Sequence, residues 1–128
     1  ISGPMVKQAG VSTDKPVSAL SLYPTLIDLC QLPKPKQILD ETSLAALLKN
    51  PQSEWKEAIV IQRDKGECAV RTKTHRYIRY ANGDEELYDH ANDPHEWNNL
   101  AKNTAHSEQL ERFRALLPPH LTSNAAEK

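Results

Sequence analysis

RYIRYANGDEELYDHANDPHEWNNLA, residues Arg76 to Ala101, contains the turn on which the fold depends. Asn82-Gly83 is the strongest short hairpin signal available, because both residues tolerate the positive φ that tight strand connections demand. A two-residue turn there predicts Tyr80 opposite Glu85, Arg79 opposite Glu86, Ile78 opposite Leu87, Tyr77 opposite Tyr88 and Arg76 opposite Asp89. That register collects opposite-charge, apolar and aromatic pairs, each contributing about 0.2–1 kcal/mol. A slip of one residue would lose them.

Upstream, EAIVIQR (Glu57–Arg63) is rich in β-branched residues, and CAVRTK (Cys68–Lys73) follows. With Arg76–Ala81 and Asp84–His90 they make four candidate strands. Downstream, Asp93-Pro94 starts a turn, and Trp97 and Leu100 are expected to dock onto the sheet. NTAHSEQLERFRALLPP then predicts a last helix with Leu110, Phe113, Leu116 and Leu117 as its buried stripe, stopped by Pro118-Pro119. The tail, residues 119–128, has little to bury and is expected to fray. Residues 56–118 thus form an α+β unit: a small antiparallel four-stranded sheet packed with a C-terminal helix.

The first half differs. Ile1 to Pro16 is loop-like, punctuated by Gly3-Pro4, Gly10 and Pro16. VSALSLYPTLIDLCQL places Leu22, Leu26, Leu29 and Cys30 at helical spacing, with Ser21 as cap and Pro24 tolerated in the first turn. Residues 36–55 are a connector with a short helix through Leu48, capped by Thr42 or Ser43 and stopped before Pro51. The helix of residues 17–32 presents an apolar face (Leu22, Leu26, Ile27, Leu29) with no partner in the chain, a surface for self-association.

The totals bound the function. The chain has 128 residues, with 16 Lys and Arg against 17 Asp and Glu. That balance argues against nucleic acid or an anionic membrane as partner. Apolar runs such as Ala58–Ile61 are too short to span a bilayer. Because the chain opens on Ile1 rather than Met, it is expected to be a piece of a longer protein.

Several residues imitate chemistry. Asp89, His90, Asp93, His95 and Glu96 could pass for metal ligands, but the two histidines are not at the helical four-residue spacing and Asp93 precedes a proline. Turn and cap roles are the better reading, and no metal site is assigned. Cys30 and Cys68 lack a His–Asp framework and read as small buried hydrophobes. Tyr77, Tyr80 and Tyr88 could offer a sugar-stacking platform, but core and cross-strand packing is preferred. For Arg76 and Arg79 the reading is a salt-bridged sheet face.

Three blocks carry a family resemblance. GPMVKQAGVSTDKPVSALSLYPTLIDLC (Gly3–Cys30), with its Pro24-Thr25-Leu26-Ile27-Asp28-Leu29 core, resembles the segment that closes the large domain of formylglycine-dependent sulfatases. TSLAALLKN (Thr42–Asn50) resembles the block that follows there. AVRTKTHRYIRYANGDEELYDHANDPHEWNNLA (Ala69–Ala101) resembles the family's C-terminal sheet, and bacterial iduronate-2-sulfatase-like enzymes are most similar. Glu41, Ala46 and His90 stand where the family often has Gly, Pro and Leu.

The resemblance implies that residues 1–35 end an alkaline-phosphatase-like α/β domain. It also implies a formylglycine nucleophile and calcium in a preceding N-terminal domain, which would be this segment's partner, and a periplasmic or secreted location. Neither Cys30 (CQLPK) nor Cys68 (CAVRT) fits the family's C/S-x-P-S/A-R motif, so this segment is expected to hold no catalytic residue and no cofactor. Loops of the resembling subdomain approach the active-site mouth. Arg63 and Lys65, in QRDKGE with Gly66, are therefore candidate binders of a sulfated saccharide, whose sulfate and carboxylate suit Arg and Lys. The plainer reading is an ordinary charged loop. Rival readings are a stand-alone sulfated-glycan-binding module using Arg63, Lys65, Arg71 and Lys73, which the near-neutral charge disfavours, and a fragment of a related phosphoesterase.

Overall fold

The computed structural model describes residues 1, 3–4, 6–8, 10–56 and 58–119, which fall into two compact units divided between Lys56 and Glu57. Glu57, the expected first residue of the first strand, and the tail from His120 onward lie outside the described residues.

In the first unit, helix α1 (Leu22–Cys30) follows a single 3-10 turn and helix α2 is Ala45–Lys49. Ser18 caps the 3-10 turn, its hydroxyl accepting from the Leu20 N–H at 3.2 Å. Ser21 stands at the N-cap of α1, as expected, but its side chain makes no capping bond. Pro24 sits in the first turn, where its missing N–H costs nothing. Leu44, rather than Thr42 or Ser43 as expected, is the N-cap of α2 and makes no side-chain capping bond; Ser43, one residue earlier, accepts from the Ala45 N–H at 3.1 Å. One hydroxyl ties the helices together: Thr25 donates to the Ser21 carbonyl at 2.6 Å and accepts from the Leu44 N–H at 2.8 Å. Leu44 stands at the N-cap of α2, so Thr25 satisfies one of the donors a helix start leaves orphaned.

That contact turns one side of α1 inward. Pro24, Thr25 and Ile27 are buried, so Ile27 leaves the face expected to lack a partner, whereas Leu22 and Leu26 of that face are 50% and 55% exposed, as expected. With Leu20 and Tyr23 they form an open apolar surface. Cys30, expected to be buried, is also exposed. The loop before α1 is pinned by Thr13 Oγ1 donating to the Pro51 carbonyl at 3.1 Å and by Trp55 Nε1 donating to the Pro16 carbonyl at 2.9 Å.

The second unit is an antiparallel meander of β1 (Ala58–Asp64), β2 (Glu67–Thr72), β3 (His75–Arg79) and β4 (Glu85–Asp89), in spatial order β1-β2-β3-β4. Helix α3 (Ser107–Ala115) follows. The side-chain period of two puts Val60, Val70, Tyr77 and Leu87 in one row across the strands. Val70, Tyr77 and Leu87 are fully buried, against Leu110, Phe113 and Leu117. The expected helix stripe is therefore the one that packs, with Leu116 half-buried. Phe113 stacks on Tyr77 with ring centroids 6.0 Å apart.

The hairpin register is not the expected one. Tyr77 pairs with Leu87, Ile78 with Glu86, Arg79 with Glu85 and Arg76 with Tyr88. The connection has three residues: the Tyr80 N–H donates to the Asp84 carbonyl at 2.9 Å, and the Gly83 N–H donates back to the Tyr80 carbonyl at 3.0 Å. Asn82 precedes the left-handed position rather than sharing it; Gly83 holds it, at φ +88. The Asn82 side-chain Oδ1 accepts from the Asp84 N–H at 3.0 Å, an Asx turn that stabilises the longer loop. The choice follows from magnitudes. The two-residue turn would pair Leu87 with Ile78 and put it on the face away from α3. Burying a leucine contributes roughly 1.5–3 kcal/mol, more than any one cross-strand pair.

Gly83→Ala places a Cβ in open space but at a positive φ. We expect it to lower the stability of this unit by about 1 kcal/mol, read as a shifted urea midpoint at unchanged slope.

Candidate functional site

Two features of the second unit could meet a ligand: the β1–β2 hairpin tip and the turn that follows β4. At the tip, Arg63 and Lys65 are both exposed. Arg63 is held loosely, its guanidinium 3.6 Å from Glu67 with an 82% exposed side chain. The Lys65 N–H donates to the Asp64 carboxylate at 2.7 Å, which orders the backbone and leaves the ammonium projecting. Gly66 turns the chain at φ +79, and a Cβ there would sit 3.4 Å from the Ala81 Cα. The tip therefore presents two cations from a tightly closed turn.

Arg71, Arg76 and Arg79 lie in strands β2 and β3. Arg71 lies against the His90 ring. Arg76 pairs with Glu96 at 3.3 Å, rather than with Asp89 as expected. Arg79 stands opposite Glu85, not Glu86. Glu85 in turn accepts from Tyr77 Oη at 2.6 Å and from Arg114 Nε at 2.7 Å, and its second oxygen accepts from Arg114 Nη2. Arg114 beside it, helped by Tyr77, holds the Glu85 carboxyl below the usual range against the opposing effect of burial. Burial and the Glu85 hydrogen bond push the Tyr77 phenol up. Burial and the nearby Glu86 raise Tyr88 to about 12. Tyr77 and Tyr88 are core residues, so neither offers a stacking surface.

The acids and histidines after β4 are dispersed. Asp89 accepts from the Ala91 N–H at 3.0 Å and from Asn92 Nδ2 at 2.6 Å, closing the turn after β4, and lies 3.8 Å from His75. Asp93 accepts from the Asn98 N–H at 2.7 Å. Glu96 bonds His90 Nε2 at 2.6 Å. His95 stacks on Trp97, with ring centroids 5.0 Å apart. Among the described residues no three His, Cys, Asp or Glu side chains converge to hold a metal ion. A hard cation such as calcium needs several oxygen ligands, and here the carboxylates of Glu85, Asp89, Asp93 and Glu96 are each occupied by protein donors. Cys68 does not fit a formylglycine precursor or a nucleophile either, since it is buried and burial pushes its thiol up.

Two placements were not legible in the sequence. Trp97 does not dock: it is 80% exposed, while Leu100 alone packs against the core. Asn99 does what the sheet edge needs. Its Oδ1 accepts from the Leu87 N–H at 3.1 Å and its Nδ2 donates to the Glu85 carbonyl at 3.1 Å, while the Leu100 N–H donates to the Leu87 carbonyl at 2.8 Å. Asn99 thus imitates a further strand along the open edge of β4 and satisfies groups that would otherwise invite pairing with another chain. An Asn at fixed distance after an Asp-Pro turn was the available signal.

The fold of this chain recurs in solved structures. A solved structure described as a 2-O GAG sulfatase superposes with TM-score 0.69 at 33% identity, over 89% of this chain and 27% of that one. A Bacteroides thetaiotaomicron protein named delta 4,5-hexuronate-2-O-sulfatase is 34% identical over 94% of this chain and 27% of its own length. A Formosa agariphila protein named sulfatase is 38% identical over 85% of this chain and 21% of its own length. The model of the family described as N-sulphoglucosamine sulphohydrolase, C-terminal, matches residues 1–120, and the chain belongs to that family. It spans about a fifth to a quarter of the length of these relatives. Among the described residues no helix is long and apolar enough to cross a membrane.

Proposed function

We propose that this chain is the C-terminal domain of a sulfatase that hydrolyses 2-O-sulfate esters on uronic-acid residues of sulfated glycans. The observation that carries this is the 34% identity over 94% of the chain to a hexuronate-2-O-sulfatase. Formylglycine and calcium act in an N-terminal domain; the residues here serve structure and substrate approach and supply no nucleophile. The exposed Leu20, Leu22, Tyr23 and Leu26 surface meets that domain, and in a separated fragment it drives self-association. Relatives named for hexuronate and ulvan substrates, which are polymer components, support a periplasmic or secreted location.

Arg63 and Lys65 bind the substrate's anionic groups. Their exposure, the loose Glu67 pairing and the closed turn beneath them support this role. The test uses the full-length protein and 2-O-sulfated uronate disaccharides. Sulfate release is expected; turnover of phosphonate or phosphate esters in its place would overturn the reading. Arg63→Gln with Lys65→Gln is expected to raise KM by roughly five- to tenfold with kcat little changed, since exposed charge pairs are screened. An unchanged KM would return both residues to an ordinary charged loop.

A further inference from the structure

The turn after β4 holds a large aromatic side chain out in water by an unusual amount of local construction. Trp97 is 80% exposed. Its backbone is fixed from two sides. The Asp93 carboxylate accepts from the N–H of Asn98, the residue after Trp97, at 2.7 Å, and this bond, with the nearby N–H groups of Trp97 and His95, holds Asp93 below the ordinary carboxyl range. Glu96, immediately before Trp97, adopts a left-handed φ of 58 that a side chain disfavours. It is kept there by Arg76 at 3.3 Å and by His90 at 2.6 Å. Asn99 then anchors the chain to β4. One part of the indole is covered by His95, stacked at 5.0 Å and 26°. The rest is open. A strained backbone residue held by ion pairs, next to an exposed indole, is an observed outlier of the kind that marks binding sites.

We propose that Trp97, backed by His95, is a stacking subsite for a pyranose ring of the saccharide chain, beyond the ring that carries the scissile sulfate. A flat amphipathic indole suits the apolar face of a sugar, and its rigidity means little ordering entropy is lost on binding. Stacking tolerates many sugars, so the subsite selects for chain length rather than sulfate position. This rests on the proposed saccharide sulfatase activity.

The test uses the full-length protein, wild type and Trp97→Ala, with a sulfated tetrasaccharide compared with its disaccharide. Trp97→Tyr and unchanged thermal unfolding serve as controls. Trp97→Ala is expected to raise KM for the tetrasaccharide roughly five- to tenfold, removing its advantage over the disaccharide, and Trp97→Tyr to keep most of it. Equal KM for wild type and Trp97→Ala would overturn the subsite while leaving the sulfatase reading intact. So would shielding of Trp97 from acrylamide in the unliganded protein, because another domain or a protein partner would then cover it. If the wild type releases no sulfate, that reading falls, and a titration with the unsulfated tetrasaccharide decides the subsite alone. Saturable indole quenching lost in Trp97→Ala supports it, and absence of quenching overturns it.

Discussion

Leu87→Ala is expected to remove about 3 kcal/mol from the sheet–helix unit, enough to leave a unit of this size largely unfolded at physiological temperature. Leu87 is fully buried, pairs with Tyr77 across β3–β4 and belongs to the cluster of Leu110, Phe113 and Leu117 on α3. Its truncation loses both transfer free energy and packing contacts, because a position covered by α3 and paired with Tyr77 cannot collapse without disturbing that ring. The measurement is thermal unfolding of the full-length protein, followed by limited proteolysis to locate the damage. A loss below about 1 kcal/mol would show that this core is looser than its burial indicates. Glu86→Ala, one residue earlier and half-buried on the other face, serves as the comparison and is expected to have a small effect.

Glu85→Ala is the second large effect, at about 2 kcal/mol. Three bonds are lost together: those from Tyr77 Oη, Arg114 Nε and Arg114 Nη2. The main cost is the Tyr77 hydroxyl, left in the interior without its acceptor. The share from Arg114 is smaller, because its side chain is 40% exposed and solvent screens the pair. The same group predicts a pH dependence. The Glu85 carboxyl is held below its ordinary value, so its stabilisation is complete above the unfolded-state value near ~4.3 and is lost as pH falls through the lower folded value. Stability measured from pH 5 down to pH 2 should fall less steeply in Glu85→Gln than in wild type. Parallel curves would show that Glu85 carries no proton linkage to folding.

The hairpin shows why the architecture was legible and its register was not. β-branched runs, the Asn82-Gly83 turn and the Leu110, Phe113 and Leu117 spacing identify the strands, their antiparallel order and the helix without reference to packing. These are local signals, each carried by neighbours in the chain. Register is different. Cross-strand charge matches around Asn82-Gly83 favour one alignment by small increments, and Leu87 against α3 favours the other by a larger one. The helix lies more than fifteen residues further along the chain, so nothing near the turn reports it. Arg76 shows the same blindness: its partner, Glu96, is twenty residues away and meets it only because the turn after β4 folds back.

The candidate site divides along the same line. Placement of Arg63 and Lys65 at an exposed hairpin tip followed from the glycine and the flanking strands. Trp97 did not, because hydrophobicity argues for burial and only the geometry of Asp93, Glu96 and Asn99 turns the indole outward. On α1 periodicity finds the open face of Leu22 and Leu26, but it cannot say that Thr25, through one hydroxyl shared with Leu44, turns the neighbouring Ile27 side inward.

From sequence alone came the four strands, the three helices, the absence of a nucleophile motif and the family resemblance, because propensity, turn chemistry and motif spacing are properties of adjacent residues. The tertiary structure alone decided the β3–β4 register, the ion-pair partners, the sealing of β4 by Asn99 and the exposure of Trp97. Each of these depends on a contact between residues distant in sequence, where one buried leucine or one shared hydrogen bond outweighs the sum of local preferences.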